Sequence, residues 1–548
     1  MDRYSGGDLI AKMIKKEGVQ HVFTLSGLHV APIYDGCLTQ EVQIVDTRHE
    51  QAAAHAADAY ARLTRNIGVA VVTAGPGVTD AITGIANAKA AESPVLLIGG
   101  AAPQALSTKG ALQETEQVAM FRPITKLAAR CERAELLPQY MASAFRAMTT
   151  GRPGPAFLEV PWDILAENVD GDRVVFPNAY RPKGVRRFGD QTMIERAAEK
   201  LSSGQKPVIM AGNAVHWDQS YGALLELARK VDAPIFFNGM ARSCFDLSDR
   251  HVFQKARREA LLGGDVILMV GAPLDFRLGY GNETTINGKA TVISVDLDGS
   301  ELGRNRDIEI PIIGDSLSVI EQLLGAAKKA SHADWIESLR QNESRSVEKQ
   351  KSRELSSADP ITHFRFARGI ADAIDDETIV IGDGGNVVSV ASKVIDRKIP
   401  GTWLDPGPFG CLGVGAPFAL AAKLLYPKRK VLVVQGDGSF GLNGFDYDTC
   451  LRFGCPVTAV VGNDAAWGQI WLPQKMMYGE QRAVGTKLRP TRYDKVMEAL
   501  GGVGYHVEKP DEITPSIKKA LDSGTIACVD VKLDPLHLEK EGGGAYAI

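Results

Sequence analysis

Residues 431–470 read VLVVQGDGSFGLNGFDYDTCLRFGCPVTAVVGNDAAWGQI. The apolar run Val431 to Val434 predicts a buried parallel strand that delivers Gly436, Asp437, Gly438 and Ser439 at its carboxyl end, the edge where open α/β sheets hold their ligands. A loop and an apolar-periodic helix should follow. A second buried strand, Pro456 to Val461, then ends at Gly462, Asn463 and Asp464, so that Asp437 and Asn463 emerge from neighbouring strand ends. A carboxylate, an amide oxygen and a loop carbonyl are hard oxygen ligands of the kind Mg²⁺ takes, with phosphate oxygens commonly completing its octahedron. Gly438 and Ser439 offer backbone and hydroxyl donors to that phosphate. Taken alone, a GDG triplet reads equally well as a glycine-rich strand-to-helix turn.

The chain has 548 residues, enough for three or four domains and a sizeable core, and its 45% hydrophobic and 23% charged content is that of an ordinary globular protein. A net charge of −4 without a strong basic cluster predicts no nucleic-acid partner and no anionic membrane surface, and favours small-molecule ligands. The seven cysteines lack CxxC spacing, which argues for reduced thiols and against a zinc site or a disulfide scaffold. No signal-peptide core and no run of about 18 apolar residues occurs, so a cytoplasmic protein is expected.

In chain order, residues 1–165 alternate helix and strand patterns, the mark of an α/β domain with a mainly parallel sheet. His29 lies in a glycine-containing loop, TLSGLH, and in isolation reads as a structural loop histidine. Glu50 opens an alanine-rich helix, where a carboxylate is an ordinary cap favoured by the dipole. VAVVTAGPG (69–77) is a further buried strand ending in a Gly/Pro turn, and Gln113 sits in a polar segment, GALQETEQVAMF. Residues 166–189 form a polar linker. A central domain follows over 190–330, without a GxGxxG fingerprint; its Lys255, Arg257 and Arg258 read most simply as a solvated face. Residues 331–359 are a charged connection. The third domain, 360–535, holds a glycine-rich turn at Asp383 to Asn386 and a second at FGCLGVGAPF, where core packing accounts for Leu412. Trp467, Met476, Met477 and Tyr478 read as the packed face of the helix after the Asn463 loop. The last stretch, 536–548, is expected to be a mobile tail.

The stretch GDGS, 23 further residues, then Asn463 resembles the diphosphate and metal signature of thiamine diphosphate enzymes. HEQAAAHAADAYAR around Glu50 is closely similar to a second motif of that family. The resemblance covers essentially the whole chain and implies an α/β fold of three open, mainly parallel-sheet domains: pyrimidine-binding, central and diphosphate-binding. It implies metal ligation by Asp437, Asn463 and the carbonyl of Ala465, and diphosphate contacts from Gly384, Asn386, Gly436, Gly438 and Ser439. Glu50 would protonate the cofactor's pyrimidine ring, helped by a raised pKa in an apolar niche. Leu412 would wedge beneath the cofactor, while the Gly410 carbonyl binds its amino group. His29 and Gln113 resemble the pocket pair of benzaldehyde lyase-like enzymes. Tyr478 and Glu480 fall where the family's pocket closes, Glu480 as a candidate acid or base. The segment around Arg257 and Arg258 resembles that of oxalyl-CoA decarboxylases and 2-hydroxyacyl-CoA lyases, whose central domain holds ADP or the ADP part of coenzyme A.

The implied reaction is cleavage of a 2-hydroxyacyl-CoA to formyl-CoA and an aldehyde or ketone. The runner-up is a CoA-free carboligase or lyase of the benzaldehyde lyase or acetolactate synthase type, followed by a 2-oxoacid decarboxylase. A silent cofactor-binding protein is disfavoured by the presence of both Glu50 and Asp437. The family also implies a homo-oligomer, dimer or tetramer, with Glu50 donated across the interface.

Overall fold

The computed structural model describes residues 3–181 and 183–536. Three open parallel sheets carry the architecture. The first runs, edge to edge, Gln43–Asp46, His21–Thr24, Gly68–Val72, Val95–Ala101, Ala156–Pro161 and Leu127–Arg130. The central one runs Ile235–Phe237, Pro207–Ala211, Val266–Val270, Thr291–Asp296 and Ile310–Ile313. The last runs Trp403–Leu404, Ile379–Asp383, Val431–Gly436, Thr458–Asn463, Ala527–Lys532 and Val503–Val507. Numbered within each sheet, the first and last share the order 2-1-3-4-6-5, and the central sheet follows 2-1-3-4-5. In every sheet the winding reverses between the first and third strands, and a crevice at that switch point is where such sheets bind ligands.

Two compact units contain these sheets. Among the described residues, the first comprises 3–181, Lys183, Thr378–Val388 and Leu404–Leu536, and so holds both six-stranded sheets; the second comprises Gly184–Glu377 and Ser389–Trp403. Val431 to Val434 are buried with both faces covered, as a continuous apolar run in a parallel sheet requires.

Inside the first unit, the helix Glu50–Thr64 packs on Gly415–Leu425. Its alanines explain the fit. Ala53, Ala54, Ala56 and Ala57 are fully buried, and a Cβ at Gly68 would fall 1.9 Å from the Ala57 carbonyl. Arg62, 1% exposed, is satisfied by Asp58 at 2.6 Å, by Ser93 and by the Asp405 carbonyl, the full pairing that a buried guanidinium needs. Where one periodic helix is expected after Ser439, there are two short ones, Asp437–Asn443 and Asp446–Arg452, separated at Gly444. The chain leaves no room for a side chain at that junction: a Cβ at Gly444 would lie 2.4 Å from the Phe440 carbonyl.

The charged connection forms the helix Ala333–Glu354. All seven cysteines are free. Among the described residues no helix is long and apolar enough to cross a membrane. The expected mobile tail, apart from Leu536, lies outside the described residues.

Candidate functional site

The last sheet brings Asp383–Asn386 and Gly436–Ser439 to its switch point, because Asp383 pairs with Gln435 on the adjacent strand. Gly436 in turn pairs with Gly462, so Asp437 and Asn463 leave neighbouring strand ends together. Asp437 is buried. Its Oδ1 accepts the Gly438 amide at 2.8 Å, and its Oδ2 has no hydrogen-bond partner among the described residues. Burial pushes this carboxyl up to about 6, the expected response of an acid withdrawn from water. An orphaned carboxylate oxygen of this kind is what a cation would complete.

Asn463 is held in one orientation. Its Nδ2 donates to the Thr491 carbonyl at 2.8 Å and to Asp530 Oδ1 at 3.0 Å, and its Oδ1 accepts the Ala465 amide at 3.3 Å. Ala465 takes φ +52°, unusual for a residue with a Cβ. Its carbonyl accepts Leu488 N–H at 2.7 Å and keeps a second lone pair. Asp464 stands beside them, its carboxyl pushed up to about 7 by burial and by the neighbouring Asp437.

The glycines here leave a cradle. A Cβ at Gly438 would strike the Trp467 ring at 2.5 Å, and one at Gly384 would lie 3.1 Å from the Gly436 amide. Asn386 opens the helix Asn386–Val394 beside this cradle. The Ser439 hydroxyl, which the sequence offers to a phosphate, is committed elsewhere: Oγ donates to the Asp383 carbonyl at 2.7 Å. Its backbone amide is the group left to a ligand.

Gly410 and Leu412 lie on the loop before the helix Gly415–Leu425. Gly410 is exposed with φ +67°, Leu412 is half-buried, and Cys411 between them contacts His55 Nε2 at 3.6 Å.

In the first sheet the switch point gathers a second group around Thr73–Gly77. His29 Nδ1 meets Thr73 Oγ1 at 3.0 Å, leaving Nε2 free of that bond, and burial lowers the pKa of the ring, favouring neutral imidazole. A Cβ at Gly75 would sit 2.8 Å from the Gln113 Cβ, and one at Gly77 would sit 3.0 Å from Glu50 Oε1. Glu50 is 7% exposed, with its pKa raised chiefly by burial. His29, Gln113 and Glu50 thus line one loop.

Sequence reasoning passed over Gln117, which fixes that loop. Its Oε1 accepts the Gly75 amide at 2.7 Å, and its Nε2 donates to Gly100 O and Glu159 Oε2. A glutamine at the foot of an apolar helix was the available signal. Among the described residues no hydrogen bond or ion pair joins the Glu50 group to the Asp437 group.

One expectation requires correction. Met476, Met477 and Tyr478 are 70%, 64% and 60% exposed, so they are not the packed face of Gly468–Tyr478; that role falls to Trp471 and Leu472. Glu480 is exposed at the following turn, 3.5 Å from Lys475 Nζ.

Nor are Lys255, Arg257 and Arg258 uniformly a solvated face. Arg258 is exposed, but Lys255 donates to Gln254 and the Lys393 carbonyl. Arg257 is largely withdrawn from water, its pKa lowered by burial and by the guanidinium groups of Arg242 and Arg277. Arg277 is paired with Asp275 at 2.6 Å, whereas Arg257 has no hydrogen-bond or ion-pair partner among the described residues. At the same sheet edge, Asn238 is buried with both its Oδ1 and Nδ2 unpartnered.

Three family models match the chain. "Thiamine pyrophosphate enzyme, N-terminal TPP binding domain" covers residues 4–120, the central-domain model 194–323, and the C-terminal TPP binding domain 383–531. A probable acetolactate synthase of Mycobacterium bovis is 39% identical over 96% of each chain. A 2-hydroxyacyl-CoA lyase 2 of Caenorhabditis elegans is 36% identical over 95% of this chain and 87% of its own, and the protein of that name from Homo sapiens is 34% identical over 96% and 88%.

Proposed function

Because the chain belongs to the thiamine pyrophosphate enzyme family, we propose that it is a carbon–carbon lyase that cleaves 2-hydroxyacyl-CoA thioesters to formyl-CoA and an aldehyde or ketone. The observation that carries the choice of substrate is the unpaired Arg257 beside Arg242 and Arg277. Such a concentration of guanidinium forks suits the phosphates of ADP or of the ADP part of coenzyme A. Arg258, exposed one residue on, would add charge at the rim. Relatives carrying the name 2-hydroxyacyl-CoA lyase 2 agree with this reading.

When bound, thiamine diphosphate supplies a nucleophilic carbon and a sink for the electron pair of the broken bond. Asp437 Oδ2, Asn463 Oδ1 and the Ala465 carbonyl would hold Mg²⁺, the orphaned Asp437 oxygen being the strongest argument for a cation there. The backbone around Gly384, Asn386, Gly436, Gly438 and Ser439 would take the diphosphate, and Gly410 and Leu412 the aminopyrimidine. Glu50, its pKa raised chiefly by burial, holds and returns a proton. Neutral His29, oriented by Thr73, accepts the proton of the substrate's 2-hydroxyl, and Gln113 orients that hydroxyl. Tyr478 and Glu480 stand on an exposed turn able to close over the thioester, Glu480 as a second acid or base.

A second reading, a CoA-free carboligase of the acetolactate synthase type, is favoured by the 39% identity to that relative. Mass spectrometry of products from a 2-hydroxyacyl-CoA panel, with Mg²⁺ and thiamine diphosphate present, separates the two. Formyl-CoA with the matching carbonyl compound is expected. Intact thioesters, with pyruvate or benzoin consumed instead, would overturn the lyase reading.

A further inference from the structure

The loop from Gly410 to Gly415 has no regular structure of its own to hold it. Gly410 and Gly413 take φ of +67° and +87°, and neither the strand before it nor the helix after it supplies partners for its amides. A single side chain from another strand does. Asp383, at the end of the strand Ile379–Asp383 and fully buried, accepts the Gly413 amide on Oδ1 and the Gly415 amide on Oδ2, each at 2.9 Å.

Oδ2 also accepts Gln435 Nε2 at 3.0 Å, and Tyr447 donates its hydroxyl to Gln435 Oε1 at 2.8 Å. The backbone of the same aspartate faces the other way: its carbonyl accepts the Ser439 hydroxyl at 2.7 Å. The Gly413 carbonyl is taken by Asn443 Nδ2 at 2.8 Å. No room is left for an alternative, since a Cβ at Gly415 would lie 2.9 Å from Asp383 Oδ2 and 2.8 Å from Val433 Cγ1.

One residue thus joins three segments of the candidate cofactor site: the 383–386 turn, the 410–415 loop and the GDGS loop. Its side chain accepts two amides of the loop that carries Gly410 and Leu412 and is braced by Gln435 on the adjacent strand, while its main chain serves the diphosphate side. We infer that Asp383 is a positioning residue that sets the Leu412 loop against the aminopyrimidine end of the cofactor, separately from the diphosphate end. Charged acceptors bonded to backbone amides are strong and directional, and residues that hold a binding group in place, as those behind metal ligands do, commonly change affinity by about 10- to 100-fold. The inference rests on the cofactor reading given above.

The separation of the two ends supplies the test. Cofactor-free protein is titrated calorimetrically with thiamine diphosphate and with inorganic pyrophosphate, each with Mg²⁺, for the unaltered chain, Asp383→Asn and Gln435→Met. An amide at 383 presents an N–H₂ where one of the loop amides needs an acceptor. The expected result is a roughly 10- to 100-fold loss of affinity for thiamine diphosphate in Asp383→Asn, with pyrophosphate affinity changed less than about threefold. Gln435→Met removes one of the donors to Asp383 and should show the same selectivity at smaller size. It decides the matter if Asp383→Asn does not fold.

Equal loss of both ligands, or no loss of either, in a folded variant would overturn the inference. Failure of the unaltered chain to bind thiamine diphosphate would instead overturn the cofactor reading itself.

Discussion

Glu50 and Ala465 each hold a conformation or charge state that costs stability in the absence of a ligand. The pKa of Glu50 is raised by burial, so its linkage has a definite sign: the stability it contributes is fully present below the ordinary carboxylate range and is lost as pH rises through the raised folded value. Glu50→Gln removes that dependence. In thermal unfolding without cofactor, the variant should match or exceed the parent at pH 7 to 8 and lose that advantage towards pH 4, while turnover with cofactor falls by at least about 100-fold. Unchanged turnover would remove Glu50 from the proposed chemistry. Ala465, at φ +52°, carries a different strain. Ala465→Gly should raise stability by about 1 kcal/mol, because glycine takes this left-handed region without a Cβ clash; a lower melting temperature would show that the alanine methyl makes a packing contact worth more than the strain.

At the level of the element, the helix Gly468–Tyr478 stands apart. Pro473 lies inside it and denies the Gln469 carbonyl its helical partner, while Ile470, Met476, Met477 and Tyr478 are half or more exposed. An element with so little buried apolar surface opens readily. Amide exchange across 474–485 should therefore be fast in the free protein and slow markedly when cofactor and thioester are bound; equal exchange in both states would rule out a closing role for Tyr478 and Glu480. This helix also marks the limit of what the sequence discloses. The buried strands were legible because continuous apolar runs ending in glycine have few other uses, and so was the adjacency of Asp437 and Asn463, which follows from strands of matched length. Met476 to Tyr478 were not, since an apolar run on a helix looks the same whether it faces a core or water. The role of Asp383 was equally hidden, because its partners are backbone amides some 30 residues away in a loop that carries no periodic pattern. Arg257 read as surface because its neighbours Arg242 and Arg277 come from other segments of the chain.

Across the whole molecule, the two six-stranded sheets repeat one winding order, and each presents a group of polar residues at its own switch point. In the first the group is His29, Gln113 and Glu50; in the last it is Asp437 and Asn463. Leu28, Leu38 and Leu112 are exposed at 78%, 73% and 77%, and Phe445 at 67%, apolar side chains that an association of chains would cover. Light scattering should accordingly give a mass of at least twice the 58.9 kDa of one chain, and a monomer at micromolar concentration would contradict a shared site. The lack, among the described residues, of any bond between the Glu50 group and the Asp437 group has a genetic counterpart. Two defective alleles, Glu50→Gln and Asp437→Ala, each inactive when expressed alone, should complement one another when co-expressed, because a mixed assembly can unite the intact half of each.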